Sequence, residues 1–185
     1  MNKTMKIITG ENIALGLAMT LLGIFGFPRL LPYGWHVFLH VLGAVLFIGN
    51  IIVSGVWMTF AERMGKKDAL SFSATMLNWA DVVFTGPGIF LLLTNGFIIA
   101  YATWSGLKYS WIIVSLGLFV LSGLIWMIFL LPQQNRMEEI TLNATGDELP
   151  DAFYQTLRRW SVWGMISTIL PLVSLGLMVF KPQLW

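Results

Sequence analysis

The 185-residue chain is 57% hydrophobic and only 11% charged, with a formal net charge of +2 and no cysteine. Soluble domains carry roughly 25% charged residues, so this composition excludes a water-covered globule, and the missing cysteine excludes disulfides, thiolate metal sites and a cysteine nucleophile. With so little net charge and no basic run a nucleic-acid partner is not expected. The partner that the composition demands is a lipid bilayer.

Charged residues cut the chain into uncharged stretches at 12–28, 30–61, 82–107, 109–135 and 160–180. A spanning helix needs about 20 apolar residues. The expectation is an all-α, polytopic transmembrane helix bundle forming one membrane domain over 1–185. Its spans lie at about 12–28, 36–59, 79–101, 109–131 and 160–180, with a cytoplasmic loop at 132–159. The first segment follows Lys3 and Lys6 as a secretory signal would. The sequence after it, Phe27-Pro28-Arg29-Leu30-Leu31-Pro32, offers no small-residue cleavage site, so a retained helix is expected. Pro87, within Thr85-Gly86-Pro87-Gly88, should kink the third span and free a carbonyl. Pro150-Asp151 should open a helix running through Arg158 and Arg159 into the last span.

Charge sets the orientation. With five spans, Lys3, Lys6, Arg63, Lys66, Lys67, Arg136, Arg158 and Arg159 share one side, against Arg29, Lys108 and Lys181 on the other. Cytoplasmic loops concentrate Lys and Arg, which places the N-terminus inside and the C-terminus outside. Aromatic residues fit that frame. Tyr33, Trp35, Tyr101, Trp104, Tyr109 and Trp111 fall at the outer boundary, and Trp57, Phe60, Trp79, Trp160 and Trp163 at the inner one. Trp126 alone among the tryptophans lies well inside a span.

Polar residues inside spans are costly, so their placement is informative. At 100° per residue, His36, His40, Gly43, Phe47, Asn50 and Ser54 share one stripe of the second span, roughly 80° wide. Asn78, Asp81, Thr85, Gly88 and Asn95 share a stripe of the third. Ser115, Ser122 and Trp126 lie on one side of the fourth, and Ser161, Gly164, Thr168 and Pro171 group on the fifth. Hydrocarbon cannot satisfy these groups, so they should face inward as a polar seam holding Asn50, Asn78, Asp81, Thr85, Asn95 and Ser115. Asp81 is expected as an interfacial group near the cytoplasm. His36 is expected among the headgroups, with His40 hydrogen-bonded to Asn95 or a serine. His36 and His40 stand one helical turn apart, a spacing that suits two ligands of one metal but not the two faces of one haem.

The segments His40-Val-Leu-Gly-Ala-Val-Leu-Phe-Ile-Gly49-Asn50 and Asn78-Trp79-Ala80-Asp81-Val82-Val83-Phe84-Thr85-Gly86-Pro87-Gly88 carry a resemblance. The chain resembles, over about 36–182, the bacterial family of predicted integral membrane proteins called Domain of Unknown Function 2269. The resemblance implies a protein of the bacterial inner membrane with no assigned activity. More distantly, His40 with the small residues after it and Gly49 is similar to the first helix of HemJ-type protoporphyrinogen oxidases and CopD-type copper-resistance proteins. That similarity implies His40, with His36 nearby, as a ligand of haem b, although Phe47 stands where a tryptophan is usual. Two functions are therefore expected as alternatives. One is a non-enzymatic binding or transport-related bundle with a polar seam; the other is a haem- or metal-binding redox protein using His40. A second copy of the chain is a further candidate partner. No nucleophile–base pair, paired carboxylates or phosphate-cradling loop points to an enzyme of another kind.

Overall fold

In hydrocarbon every backbone N–H and C=O must be paired within its own segment, and an uninterrupted helix does this most simply. The structure, a computed structural model, describes residues 3–185, with side chains from residue 7 onward; the side chains of Lys3 and Lys6 lie outside the described residues. The described chain is helical, without strands. It runs α1 (Lys3–Gly23), α2 (Tyr33–Met64), α3 (Lys67–Ala80), α4 (Gly86–Thr103), α5 (Ser110–Ile125), α6 (Leu131–Asn143) and α7 (Asp151–Phe180). Two π turns, Asp81–Thr85 and Trp126–Leu130, join α3 to α4 and α5 to α6 without interrupting the helix.

Four continuous rods result: Tyr33–Met64, Lys67–Thr103, Ser110–Asn143 and Asp151–Phe180, each long and apolar enough to cross a membrane. At 1.5 Å per residue, a rod of 30 residues or more is about 45 Å long or longer, against a hydrocarbon core of about 30 Å. The excess gathers at one end. There Met58 and Ala61 of α2, Leu70, Ala74 and Leu77 of α3, Met137 of α6, and Phe153, Leu157 and Trp160 of α7 form the main buried cluster. Residues 132–159, expected as a loop, are thus helical except for 144–150. Their charges broke the apolar run without breaking the helix, because these turns pack on one another rather than on lipid.

The apolar part of α1, Ile7–Gly23, is shorter than the other spans. The segment expected at 12–28 stops early as helix: Gly26 takes φ +84°, and Pro28 and Pro32 follow. Even so, α1 runs beside α4 over much of its length. Asn12 lies on Gly86, Gly16 faces Ile89, Gly23 lies under the Phe97 ring, and the Tyr101 hydroxyl donates to the Ile24 carbonyl.

Two close contacts hold the rods together. Where α2 crosses α4, a Cβ on Gly43 would lie 2.6 Å from the Leu92 nitrogen and 2.7 Å from the Gly88 oxygen. Small residues at this crossing let the two backbones touch. Between α5 and α7, serines at heptad spacing pair across the antiparallel interface. Ser122 Oγ donates to the Ser167 carbonyl at 2.9 Å, and Ser174 Oγ donates to the Ser115 carbonyl at 3.1 Å. Interhelical hydrogen bonds of this type average about 0.6 kcal/mol each in membranes. Packing at the glycine crossing is the less forgiving contact. Gly43→Ala should lower unfolding stability in detergent by about 1–3 kcal/mol, the usual cost of overpacking. Gly49→Ala, on the same helix with nothing within 4 Å, should leave it unchanged or slightly raise it; equal losses would refute the crossing as a constraint.

Candidate functional site at the paired helix breaks

A proline inside a helix donates no hydrogen bond, and its ring collides with the carbonyl four residues earlier. Both π turns answer this problem at the same offset. Gly86, before Pro87, donates its N–H five residues back to Asp81, and Leu131, before Pro132, donates to Trp126. Widening the turn by one residue moves the obstructing carbonyl aside. The residues opening the two turns then meet, the Trp126 Nε1–H donating to Asp81 Oδ2 at 2.9 Å.

The other carboxylate oxygen is held as firmly. Asp81 Oδ1 accepts Asn50 Nδ2 at 3.1 Å and Thr85 Oγ1 at 2.9 Å. Asn50 Nδ2 also reaches Thr85 Oγ1 at 2.9 Å, and Ser54 Oγ donates to Asn50 Oδ1 at 3.2 Å. Gln134 of α6 lies near the same carboxylate. Asp81 therefore does not end a helix. It sits at a π turn inside a continuous rod, where Asn50 of α2, Thr85 of the same turn and Trp126 of the α5–α6 rod donate to it.

The carboxylate stays partly accessible because it borders a cleft of about 120 Å³ between α1, α4 and α5. Asp81, Thr85, Asn12, Thr9 and Trp126 make its polar end, and Ile89, Leu93, Phe119, Val120 and Leu124 line its length. Among the described residues of that lining, Asp81 is the one charged group. Toward the protruding helical end, Asn78 Nδ2 donates to Glu138 Oε2 at 2.8 Å.

The remaining expected site residues lie elsewhere. His36, expected among the headgroups, is buried, and it is His36 rather than His40 that meets Asn95, its Nδ1 lying 2.8 Å from Asn95 Oδ1. Asn95 Nδ2 is bound to the Leu91 carbonyl, and the Leu31 N–H approaches His36 Nε2 at 3.4 Å. Both ring nitrogens of His36 are engaged. His40 Nδ1 donates to the Leu92 carbonyl at 2.8 Å. Ser115 belongs to the α5–α7 serine pairs, away from Asp81. The expected single seam is thus three separate polar groups, at the histidines, at Asp81 and between the serines. Gln134, Thr9 and Asn12 were not anticipated. A proline following Trp126, the one tryptophan inside a span, was the available clue to the second break. Among the described residues no three His, Cys, Asp or Glu side chains are grouped to hold a metal.

A family model described as "Predicted integral membrane protein (DUF2269)" matches residues 36–182, from the start of α2 to the end of α7. No curated protein and no solved structure matches the chain. The similarity to HemJ-type and CopD-type proteins is not among what these comparisons show.

Removing one donor from the carboxylate should be felt. Asn50→Leu should cost about 1–3 kcal/mol of unfolding stability in detergent, the penalty for a buried polar group left short of partners. Val53→Leu, on the exposed face of the same helix, should cost nothing measurable. Equal effects would mean that the Asn50–Asp81 contact carries no weight.

Proposed function

The chain belongs to the DUF2269 family of predicted integral membrane proteins, and from that premise we propose a non-enzymatic, multi-pass binding protein of the bacterial inner membrane. Its ligand is a small amphiphile with a cationic head, taken from the bilayer into the cleft beside Asp81. One observation carries the reading: a carboxyl group, the one charged residue among the described lining, stands at the polar end of a cleft whose length is apolar. A polar group at one end and hydrocarbon walls along the rest match a headgroup and its tail. A long-chain alkyl amine would place its ammonium against Asp81 and its chain along Ile89, Leu93 and Phe119.

The polar end of the cleft lies toward the protruding helices, which carry most of the Lys and Arg of the chain. By the distribution of positive charge this end faces the cytoplasm, and the C-terminus faces outward. A reporter fused after Trp185 should therefore read as extracytoplasmic, and one inserted in 144–150 as cytoplasmic.

Photolabelling tests the ligand. A diazirine-bearing alkyl amine should label residues of α1, α4 and α5 in nanodiscs, and a matched alkyl sulfate should not. Gly123 lines the cleft with nothing within 4 Å of a Cβ, so Gly123→Phe should fill it and reduce labelling about tenfold, equivalent to roughly 1.4 kcal/mol. Equal labelling by amine and sulfate, or labelling indifferent to Gly123→Phe, would overturn the reading.

A second reading is favoured by His40. Its Nδ1–H is fixed on the Leu92 carbonyl, which leaves the Nε2 lone pair available; metal-ligating histidines are commonly oriented in this way. On this reading His40 is an axial haem ligand and His36, with both nitrogens engaged, is not the other one. Purified protein should then show a Soret band that His40→Ala abolishes. A colourless preparation without bound metal would remove this reading.

A further inference from the structure

α1 gives the cleft a polar group as well as a wall. Asn12, Gly16 and Thr20 all line the cleft, and at successive spacings of four they fall on one face of the helix. Thr20 is already engaged, its Oγ1 donating to the Gly16 carbonyl at 2.9 Å. Asn12 is not. Its carboxamide lies against the backbone of Gly86, where an added Cβ would fall 2.4 Å from Asn12 Nδ2 and 2.6 Å from its Cγ. A residue without a side chain is what leaves the amide this seat. Gly86 directly follows Thr85, whose Oγ1 donates to Asp81 Oδ1. The amide is thus placed one residue from the network that holds the acid.

It takes no part in that network. The residue is half-buried, and among the described residues nothing hydrogen-bonds to the Asn12 carboxamide. An amide brings two N–H donors and a carbonyl acceptor, and here they border the cleft at its polar end. Asp81 is also incompletely used on one side. Its Oδ1 accepts from Asn50 and Thr85, whereas Oδ2 accepts from Trp126. Each carboxylate oxygen has two lone pairs, so Oδ2 keeps one for a further donor.

We propose that Asn12 is the second headgroup contact of the cleft, its Oδ1 and Asp81 Oδ2 each accepting an N–H, so that the site takes primary ammonium heads and rejects quaternary ones. The inference rests on the amphiphile reading of the cleft and narrows its ligand class. A trimethylated head carries the same charge but no N–H, so both oxygens would lose their donor on binding it. A site built to hydrogen-bond its substrate rejects an analogue lacking that group far more strongly than an apolar pocket rejects a missing methylene. Quaternary heads are held instead by cages of aromatic faces. The described lining has two aromatic rings, Trp126 and Phe119, and the second is packed on Phe47 with centroids 5.2 Å apart.

The experiment is photolabelling of the full-length protein in nanodiscs with three matched probes: a diazirine-bearing primary alkyl amine, its N,N,N-trimethyl counterpart and the alkyl sulfate. Wild type should take the amine at least tenfold better than the trimethyl probe. Asn12→Leu should bring that ratio close to one by lowering amine labelling. Gly86→Ala, whose Cβ meets the Asn12 amide first, should displace the same group and do likewise. The ratio is the readout because loss of folded protein lowers both probes alike. Equal labelling of wild type by amine and trimethyl probe, with the sulfate excluded, would overturn the role of Asn12 and leave the cleft reading standing. A ratio that survives both substitutions would also overturn it. Sulfate labelling as strong as the amine's would instead remove the cleft reading itself.

Discussion

One hydrogen bond, from the Trp126 indole to the Asp81 carboxylate, fixes the relation between the two broken rods. A carboxyl group withdrawn from water is expensive, and here neutral donors replace the water it has lost. Those donors come from α2, from Thr85 of the same π turn and from Trp126 of the α5–α6 rod, so satisfying the carboxylate ties α2 and the two rods together. The helix breaks bring it there. Pro87 and Pro132 each force a widened turn, and the extra residue in each turn carries the group that meets the other. A straight helix at either position would rotate its partner out of reach. The acid thus does two things: it sets the register between the rods and leaves a charged rim on the neighbouring cleft.

Around that point the bundle divides by the kind of contact that lipid permits. Within the bilayer there is no hydrophobic drive to join helices, and the interfaces there are close backbone approach at Gly43 and Gly88 and serine pairs at 115/174 and 122/167. At the protruding end, where the rods outrun the hydrocarbon, the contacts become those of a soluble protein. Phe153, Met137, Leu70 and Leu157 are almost completely buried there. α1 stands outside the family-matched region and adds the third wall of the cleft. Without it, Thr85 and Gly86 would look directly onto lipid.

The spans were legible because hydropathy and charge report solvent, and a bilayer is a solvent with sharp edges. Four of the five expected spans fall within the four long rods. What hydropathy could not report was where a helix continues after leaving the lipid. Residues 132–143 read as loop because they carry charge, yet they remain helical through packing. A disturbance of the helix before Pro87 followed from the side chain alone, and it takes the form of a π turn. Its partner at Pro132 did not, because pairing two breaks requires their relative depth. Helical wheels found the polar faces of α2 and α4 but put His40 rather than His36 against Asn95. The partner is set by the glycine crossing, a distance the pattern does not encode. On α7 the wheel favoured Ser161 and Thr168, whose hydroxyls turn back to their own helix at Leu157 and Gly164. The serines that reach α5 are Ser167 and Ser174.

A double-mutant cycle on Asp81→Asn and Trp126→Phe tests the central contact most directly, with unfolding followed in detergent. If the carboxylate and the indole join the two broken helices as described, the second substitution should cost much less in the background of the first. The coupling should be of order 1–3 kcal/mol, as found for residues sharing one hydrogen-bond network. Strictly additive losses would mean that the two side chains act independently, and the account of the paired breaks would fail.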